Sequence, residues 1–463
     1  MSMLTLRQVP LRCPEKSRLD WASPTTVPRV WMTAIFAASA AYALVMALVT
    51  SNHLHRLWGI FAACSYLLAA MVVLAWRSRG VDSALLISLG GALAAPLMLM
   101  AGARMQQPEV RVINTSAAML VHKGTPYVGP AALATAHSPN VFDPYLPAMT
   151  LFGMPRALLG FSVLTDPRIW FGLGFLVVFG AALAAVGARD VVRWTVLVAA
   201  SPLIAFSLTV GGTDVPVLAC LCLGLALLWR QPHPVPAGLA LGVAAAMKAT
   251  AWPALLIAAV LLAARDGKRA AWTLVGTAVA VVAVIVGPVA LLWPRALVQN
   301  TVLFPLGLAS IKSPAVSPLP GHLLAGTGHA GHLIAVALLA LACLGILASL
   351  VIRPPRTVPA ATWRLAIGLS LMFVLAPATR FGYFLYPAGL LAWLGISWLG
   401  LANPGGGRPG RRMPPPRPRT SRRTRAQPPQ AGLCARPSER NRPAAGQPAG
   451  SAASGHCSPG QRA

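Results

Sequence analysis

The sequence predicts an all-α polytopic membrane protein with about twelve transmembrane helices. Of its 463 residues, 56% are hydrophobic and 10% are charged, whereas soluble domains carry about 25% charged residues. The mean hydropathy is +0.66. Long runs without charge recur along the chain, and runs of about 18 residues or more are typical of membrane-spanning helices. A transmembrane barrel would instead show short alternating strands, so we expect helices.

Composition divides the chain into three parts. Residues 1–28 are polar and basic and have no apolar run, which predicts a cytoplasmic lead and no cleavable signal peptide. Residues 29–402 contain the apolar runs and form the transmembrane domain. Residues 403–463 are rich in Arg, Pro and Gly, which predicts a disordered cytoplasmic tail. The tail could contact anionic headgroups, although a shifted reading frame in a GC-rich gene would give the same composition.

Twelve apolar segments account for the transmembrane domain. The run from Val235 to Ala264 is too long for one span and too short for two. Lys248 and Pro253 interrupt it, and proline breaks the interior of a helix, so we predict two short helices there. The other spans are predicted at about 30–49, 58–76, 85–103, 169–187, 194–210, 215–229, 270–293, 333–352, 363–376 and 384–399.

Lys and Arg in the short turns predict the orientation, because they favour the cytoplasmic side. In a twelve-span arrangement both termini lie on the same side as the basic turns. The short turns of the opposite side hold only Arg56 and Arg380. This predicts a multi-pass protein of the cell membrane with cytoplasmic termini and two long outer loops, 104–168 and 294–330. The cytoplasmic basic turns would be 77–79, 189–193, 230, 265–269 and 353–364.

The formal net charge of +28 does not indicate nucleic-acid binding. From Arg408 onward the chain has twelve Arg and one Glu, and most of the remaining basic residues lie in short turns. The seven cysteines lie mainly in apolar runs or in the tail, and Cys220 and Cys222 have no histidine at zinc spacing. We therefore expect no nucleic acid, no metal site and no cofactor.

The 104–168 loop contains the candidate catalytic base. Glu109 is one of only ten acidic residues, and a carboxylate can accept a proton from a reacting hydroxyl. Alternatively, Glu109 forms an exposed ion pair with Arg111 that contributes little. Asp143 precedes Pro144 and has the features of a turn former, and Asp166 is predicted to cap the following helix.

Asp214, Lys248 and Arg380 are the polar groups that the predicted helix ends do not need. A cation in a short apolar helix is costly unless it faces an aqueous cavity or a partner, so Lys248 could bind an anion or reach the outer surface. Arg380 lies at a break between two spans, where it could bind a phosphate or anchor the helix. Asp214 either caps a helix or binds substrate. His322, in the second outer loop, could orient a carboxylate or contact phosphate.

A short amphipathic helix is expected between Asn114 and His122, with Gly124 at its C-cap. Such a helix could lie in the membrane interface beside the catalytic loop. Simple packing of its apolar face is equally compatible with the pattern.

Several short motifs follow one another in a fixed order along the chain. The first outer loop contains Glu109-Val110-Arg111-Val112, Ala117-Ala118 and Lys123-Gly124-Thr125-Pro126-Tyr127. Later segments contain Phe142-Asp143-Pro144-Tyr145-Leu146-Pro147, Gly212-Thr213-Asp214-Val215-Pro216 and the helical pair with Gly242, Lys248 and Pro253. In this order the motifs resemble those of glycosyltransferase family 87, whose members are polyprenyl-phosphate-mannose-dependent mannosyltransferases. The resemblance covers roughly residues 30–400 and excludes the tail.

The resemblance implies a membrane-embedded GT-C fold without a nucleotide-binding domain. It further implies a polyprenyl-phosphate sugar donor that is attacked with inversion at the outer face, and no obligatory metal. Glu109 falls near the family's first-loop acidic residue, which is usually Asp, and His322 resembles a loop histidine that works with that carboxylate. Family members commonly have one span before this loop, whereas three precede it here.

These observations favour a membrane glycosyltransferase that uses a polyprenyl-phosphate sugar donor and a lipid or glycan acceptor of the cell envelope, in contact with membrane lipids. Glu109 is the expected catalytic base. The expected substrate-binding residues are Arg111, Asp143, Tyr145, Asp214, Lys248, His322 and Arg380.

Two other functions fit parts of the pattern. A transporter would have broken helices such as those expected at Pro253 and Pro377, but its charges should lie near the bilayer midplane. A non-catalytic scaffold would have no cavity joining Glu109 to Lys248.

Overall fold

A computed structural model describes residues 24–76, 79–309, 311 and 313–401. Most of the predicted lead (1–28) and all of the predicted tail (403–463) lie outside the described residues. Those that are described form helices and no β-strand, and their one isolated bridge pairs Val316 with Thr379. The predicted all-α class is confirmed.

The helices follow one another along the chain with short connections, except for two long ones over residues 124–166 and 293–328. The first seven are α1 (Arg29–Val49), α2 (His53–Ala75), α3 (Gly80–Gly102), α4 (Pro108–Lys123), α5 (Pro167–Ala185), α6 (Val191–Ala199) and α7 (Pro202–Val210). The next seven are α8 (Asp214–Ala226), α9 (Pro234–Met247), α10 (Trp252–Arg265), α11 (Lys268–Leu292), α12 (His329–Ile352), α13 (Val358–Leu375) and α14 (Leu385–Leu401). Short helical turns include Pro130–Ala134, Pro139–Val141, Pro147–Thr150, Leu151–Gly153, Met154–Leu159, Pro294–Val298, Gln299–Leu303, Pro320–Ala325 and Phe381–Phe384.

Each predicted apolar segment is helical, but a count of twelve spans is not confirmed. Among the described residues, eight helices are long and apolar enough to cross a membrane, or nine if α6 and α7, bent by 59°, form one span. Helices α8, α9 and α10 have only 13 or 14 residues. At 1.5 Å per residue such helices reach about 20 Å, less than the hydrocarbon core of about 30 Å.

The break between α9 and α10 occurs where the sequence predicts it. Helix α9 ends at Met247, and Lys248 has an extended backbone with φ −156° and ψ 139°. After a short turn, α10 begins with Trp252, and Pro253 occupies its first turn. Proline is tolerated there because the first N–H groups of a helix have no internal acceptor. Lys248 therefore lies between the two helices and belongs to neither of them.

The capping role predicted for Asp166 is confirmed. Its carboxylate accepts a hydrogen bond of 3.0 Å from the backbone N–H of Arg168. The Arg168 guanidinium is itself fully buried and binds the same carboxylate and the backbone carbonyls of Met105 and Thr209. This cluster fixes the start of α5 against the end of α3 and the end of α7.

Helix α8 is buried along most of its length and packs against α5, α9 and α14.

Small residues allow helices α9 and α11 to approach each other closely. At Gly238 of α9, an added Cβ would lie 2.6 Å from the backbone oxygen of Leu274 in α11. Close backbone contact at small residues is a common way for helices to associate in membranes.

Hydrogen bonds tie the two predicted outer loops to the helix ends and to each other. The isolated bridge joins the second loop to the segment before Arg380, and other bonds join the first loop to the ends of α7 and α9. The pairs are Gln107 N to Val210 O (3.0 Å), Leu146 N to Met247 O (2.9 Å), Ser317 N to Thr379 O (3.0 Å) and Asp143 N to Asn300 Oδ1 (2.9 Å). These bonds bring distant parts of the chain to one place.

Candidate active site

Helix α4 places Glu109 in its first turn. Pro108 occupies the first helical position, and Gly124 ends the helix with φ 69°, in the left-handed region that glycine adopts without strain. The helix covers the predicted segment from Asn114 to His122 and begins six residues before it. Glu109 thus lies on a helix and not in a flexible loop.

Glu109, Lys248 and Arg380 line one cavity of about 300 Å³. Tyr145, Tyr383 and Thr250 add further polar groups to its wall. Apolar side chains complete the lining, among them Phe142, Phe304, Met372 and Phe373. The structure therefore joins the predicted base and both predicted phosphate-binding cations.

Arg380 is the ion-pair partner of Glu109. Its Nη1 contacts Glu109 Oε1, and the two side chains are 33% and 19% exposed. The alternative pairing of Glu109 with Arg111 is wrong, since Oε1 pairs with Arg380 and Oε2 has no hydrogen-bond partner among the described residues. Arg111 is exposed and does not line the cavity. Backbone bonds of Thr379 with Ala315 and Ser317 hold the segment that carries Arg380.

The second carboxylate oxygen of Glu109 is packed against Gly211. Glu109 Oε2 is buried and has no hydrogen-bond partner among the described residues. A Cβ at Gly211 would lie 3.2 Å from Oε2 and 3.0 Å from Gln107 Oε1, so a larger residue there would push both side chains by a few tenths of an ångström. Within the described part of the chain, Oε2 is therefore free of protein partners and can take up a proton from a bound hydroxyl.

Lys248 forms an ion pair with Asp214, whose carboxylate also accepts a hydrogen bond of 2.7 Å from the Tyr386 hydroxyl. The Lys248 and Asp214 side chains are 12% and 15% exposed. The proposed capping role of Asp214 is wrong: the N-cap residue of α8 is Thr213, which makes no side-chain cap bond. Asp214 instead balances the charge that lines the cavity.

Two tyrosine rings flank the Lys248 ammonium. Nζ lies 5.5 Å from the centre of the Tyr145 ring and 5.0 Å from that of Tyr383, within the range of cation–π attraction. An ammonium has three N–H donors, and the bond to Asp214 uses one. Lys248 can therefore donate to an anion in the cavity while it keeps Asp214.

Asp143 is buried behind the cavity wall. Its carboxylate accepts bonds from the Ser116 hydroxyl and from the Tyr145 N–H (2.9 Å), which forms the predicted turn. Among the seven carboxylates of the described residues, Asp143 alone has no ion pair. Burial raises the pKa of Asp143 to about 7, although both hydrogen bonds oppose the shift. Asp143 positions Tyr145 and does not line the cavity.

His322 also lies off the cavity lining. Its Nδ1 is 2.8 Å from the backbone oxygen of Pro377, and because a carbonyl only accepts, Nδ1 donates. At the neighbouring Gly321 a Cβ would lie 2.1 Å from the Leu375 oxygen. His322 therefore fixes a loop helix to the end of α13, just before the segment that carries Arg380.

Sequence reasoning missed Thr250, Tyr383 and Tyr386, and also Ser116 and Asn300, which support Asp143. The chain has only six tyrosines. Four of them lie at this site. Tyr145 and Tyr383 flank Lys248, and Tyr386 binds Asp214. The fourth, Tyr127, donates a hydrogen bond of 2.7 Å to the backbone oxygen of Tyr145. The scarcity of tyrosine in an otherwise apolar chain was the available signal.

The family model for glycosyltransferase family 87 matches residues 144–377, half of the chain. The chain belongs to glycosyltransferase family 87. With its apolar helices, it is a membrane glycosyltransferase. No curated protein and no solved structure matches it.

The matched range includes Tyr145, Asp214, Lys248 and His322. The first-loop motif with Glu109 and Arg111, and also Asp143 and Arg380, lie outside it. Among the residues that the structure describes, no group of three or more His, Cys, Asp or Glu could hold a metal ion. The roles of individual residues in this family 87 glycosyltransferase therefore rest on the geometry of the cavity.

Proposed function

We propose that the protein transfers mannose, or a related hexose or pentose, from a polyprenyl phosphate to a lipid or glycan acceptor of the cell envelope. The observation that carries this proposal is the shared cavity of Glu109, Lys248 and Arg380. These residues come from three distant parts of the chain, and each matches one chemical need of the transfer.

The reaction replaces one bond to the anomeric carbon by another. The acceptor oxygen forms a bond to that carbon while the bond to the phosphate oxygen breaks, with inversion. The hydroxyl proton passes to the Glu109 carboxylate, which acts as general base. The leaving polyprenyl phosphate takes the electron pair of the broken bond and so gains a negative charge.

Lys248 and Arg380 are placed to bind this phosphate. Cations that face developing negative charge in a low-dielectric site stabilise the transition state. Arg380 has five N–H donors, so it can contact the donor phosphate as well as Glu109. Asp214 and the flanking Tyr145 hold Lys248 in place.

An apolar cavity beside the site offers space for part of a polyprenyl chain. It has a volume of about 420 Å³, lies between α10, α12 and α13, and shares Met372 with the reaction cavity. Its other lining residues include Trp252, Leu256, Ile346 and Leu365. A lipid-linked donor needs such an apolar surface next to its phosphate.

The cavity belongs at the extracytoplasmic face in this proposal. Its walls come from the predicted outer loops 104–168 and 294–330 and from the break that carries Arg380. The basic turns and both termini then lie at the cytoplasmic face of the cell membrane. Charged groups gathered at one face suit a transferase better than the transporter alternative.

Replacement of Glu109 by Gln tests the catalytic assignment. We expect reconstituted vesicles of this variant, supplied with polyprenyl-phosphate mannose and membrane lipid extract, to lose transfer by about 100-fold or more, as is typical when a general base is removed. Asp266→Asn, which removes a carboxylate from the α10–α11 turn, is the control and should retain transfer. Near wild-type transfer by Glu109→Gln would refute the role of Glu109.

A further inference from the structure

A second cavity, of about 700 Å³, lies outside the reaction cavity. It is formed by the end of α4, the segment after it and the connection that follows α11. Tyr127 lines this cavity and Tyr145 lines the reaction cavity, and the bond from the Tyr127 hydroxyl to the Tyr145 backbone joins the two walls. The reaction that we propose does not use this space.

Two cations from distant parts of the chain line this cavity. Lys123 is the last residue of α4, and Arg295 follows α11 by three residues. No Asp or Glu lines the cavity. Within the described part of the chain, neither cation has a hydrogen-bond or ion-pair partner. The cavity is therefore suited to an anion.

The depth of the site in the membrane indicates what kind of anion it would meet. Helix α11 is one of the long apolar helices and ends at Leu292, so Trp293 and Arg295 follow directly at the membrane–water boundary. Trp is enriched at that level, where lipid headgroups lie. Gly124 leaves room for the Trp293 ring, which would lie 3.4 Å from a Cβ at that position. With α11 as a span, the cations and this ring would lie at the depth of lipid phosphates.

Exposed apolar side chains continue from this cavity along α11. Leu292 lines the cavity and is 67% exposed, and Leu291 and Val284 are exposed to similar or greater extents. This surface would suit an acyl chain below the headgroup. A soluble phosphate ester would gain nothing from it.

We propose that this cavity binds the headgroup phosphate of an anionic phospholipid between Lys123 and Arg295, with an acyl chain along α11. The ligand is a monoanionic membrane lipid, and the site is separate from the one proposed for the sugar donor. The proposal does not depend on which sugar is transferred or on the role of Glu109.

Native mass spectrometry of the full-length protein in detergent, with phosphatidylglycerol as probe, tests this site. Two cations near an anionic lipid, each worth about 1 kcal/mol, predict that Lys123→Gln together with Arg295→Gln weakens phosphatidylglycerol binding roughly 30-fold. The control combines Lys268→Gln with Arg269→Gln, which removes the same charge from the other end of α11, and should bind as the wild type does. Both Lys123 and Arg295 are exposed, so the variant should keep its melting temperature.

Two further probes define the ligand class. Phosphatidylcholine, which has no net charge, should bind more weakly than phosphatidylglycerol to the wild type and about equally to the Lys123/Arg295 variant. Glycerol 3-phosphate should not displace phosphatidylglycerol at equal concentration. The proposal is overturned if the variant binds phosphatidylglycerol as tightly as the wild type, if the control loses as much affinity, or if glycerol 3-phosphate competes equally.

Discussion

The ion pair between Lys248 and Asp214 should stabilise the fold as a coupled unit. Asp214→Asn keeps an acceptor for the Tyr386 hydroxyl but leaves the Lys248 ammonium without its countercharge. Lys248→Met leaves the Asp214 carboxylate with only the tyrosine bond. The double variant removes both charges and keeps the volume of both side chains nearly unchanged.

The expected magnitudes follow from the burial of this pair. Two unit charges about 4 Å apart attract by about 4 kcal/mol at an effective dielectric constant of about 20. Removal of one partner of a buried pair costs about 3–5 kcal/mol. Because these side chains are still 12% and 15% exposed, we expect each single variant to lose about 3 kcal/mol. The double variant leaves no unpaired charge and should lose only about 1–2 kcal/mol.

Thermal unfolding of the three variants in the same detergent measures this coupling. At about 2 °C per kcal/mol, the low end of the range for large domains, each single variant should melt about 6 °C below the wild type. The double variant should melt only about 2–4 °C below it. If the double variant falls by the sum of the single variants, the two charges are not coupled and this account of Lys248 is refuted.

Two other predictions concern the supports of the cavity. Burial raises the pKa of Asp143 to about 7, above its unfolded value, so the folded state holds the proton more tightly and the wild type should lose stability as pH rises from about 4 to 7. Between pH 5 and 8 this amounts to about 3 kcal/mol relative to Asp143→Asn, and parallel melting profiles of the two proteins would contradict it. Gly321→Ala forces a Cβ to within 2.1 Å of the Leu375 oxygen and should cost about 1–3 kcal/mol and reduce transfer. Gly345→Ala, in the interior of α12 where nothing lies within 4 Å, should melt at the wild-type temperature or about 2 °C above it, because Ala favours a helix over Gly by about 1 kcal/mol. A melting temperature of Gly321→Ala equal to that of Gly345→Ala would show that Gly321 is not tightly packed.

Local sequence signals predicted the positions of most helices. Proline at the start and glycine at the end mark α4, and Lys248 with Pro253 marks the break between α9 and α10. These features depend on residues within a few positions of one another. The same local signals do not predict the number of membrane spans, because α8, α9 and α10 are too short to cross the hydrocarbon core of a bilayer.

The contacts within the candidate site were less accessible from the sequence. Scarce charges singled out Glu109, Lys248 and Arg380, but not the pairing of Glu109 with a residue 271 positions away. The local alternative, Arg111, was the wrong partner. Likewise, the position of Asp214 at a helix start predicts a cap and not its hydrogen bond to Tyr386, which lies 172 residues away. Tertiary packing determines such pairs, and the local periodicity of the sequence does not predict them.

The outward orientation of the cavity is the central claim, and cysteine labelling tests it most directly. Arg111 is exposed on α4 two residues after Glu109, so Arg111→Cys in a protein whose seven native cysteines are replaced reports the side on which Glu109 lies. Arg269→Cys, in a predicted cytoplasmic turn, serves as the control. We predict that a membrane-impermeant maleimide applied to intact spheroplasts labels position 111 and reaches position 269 only after permeabilisation. Labelling of position 269 but not of position 111 in intact spheroplasts would place the cavity at the cytoplasmic face of the membrane and contradict the account.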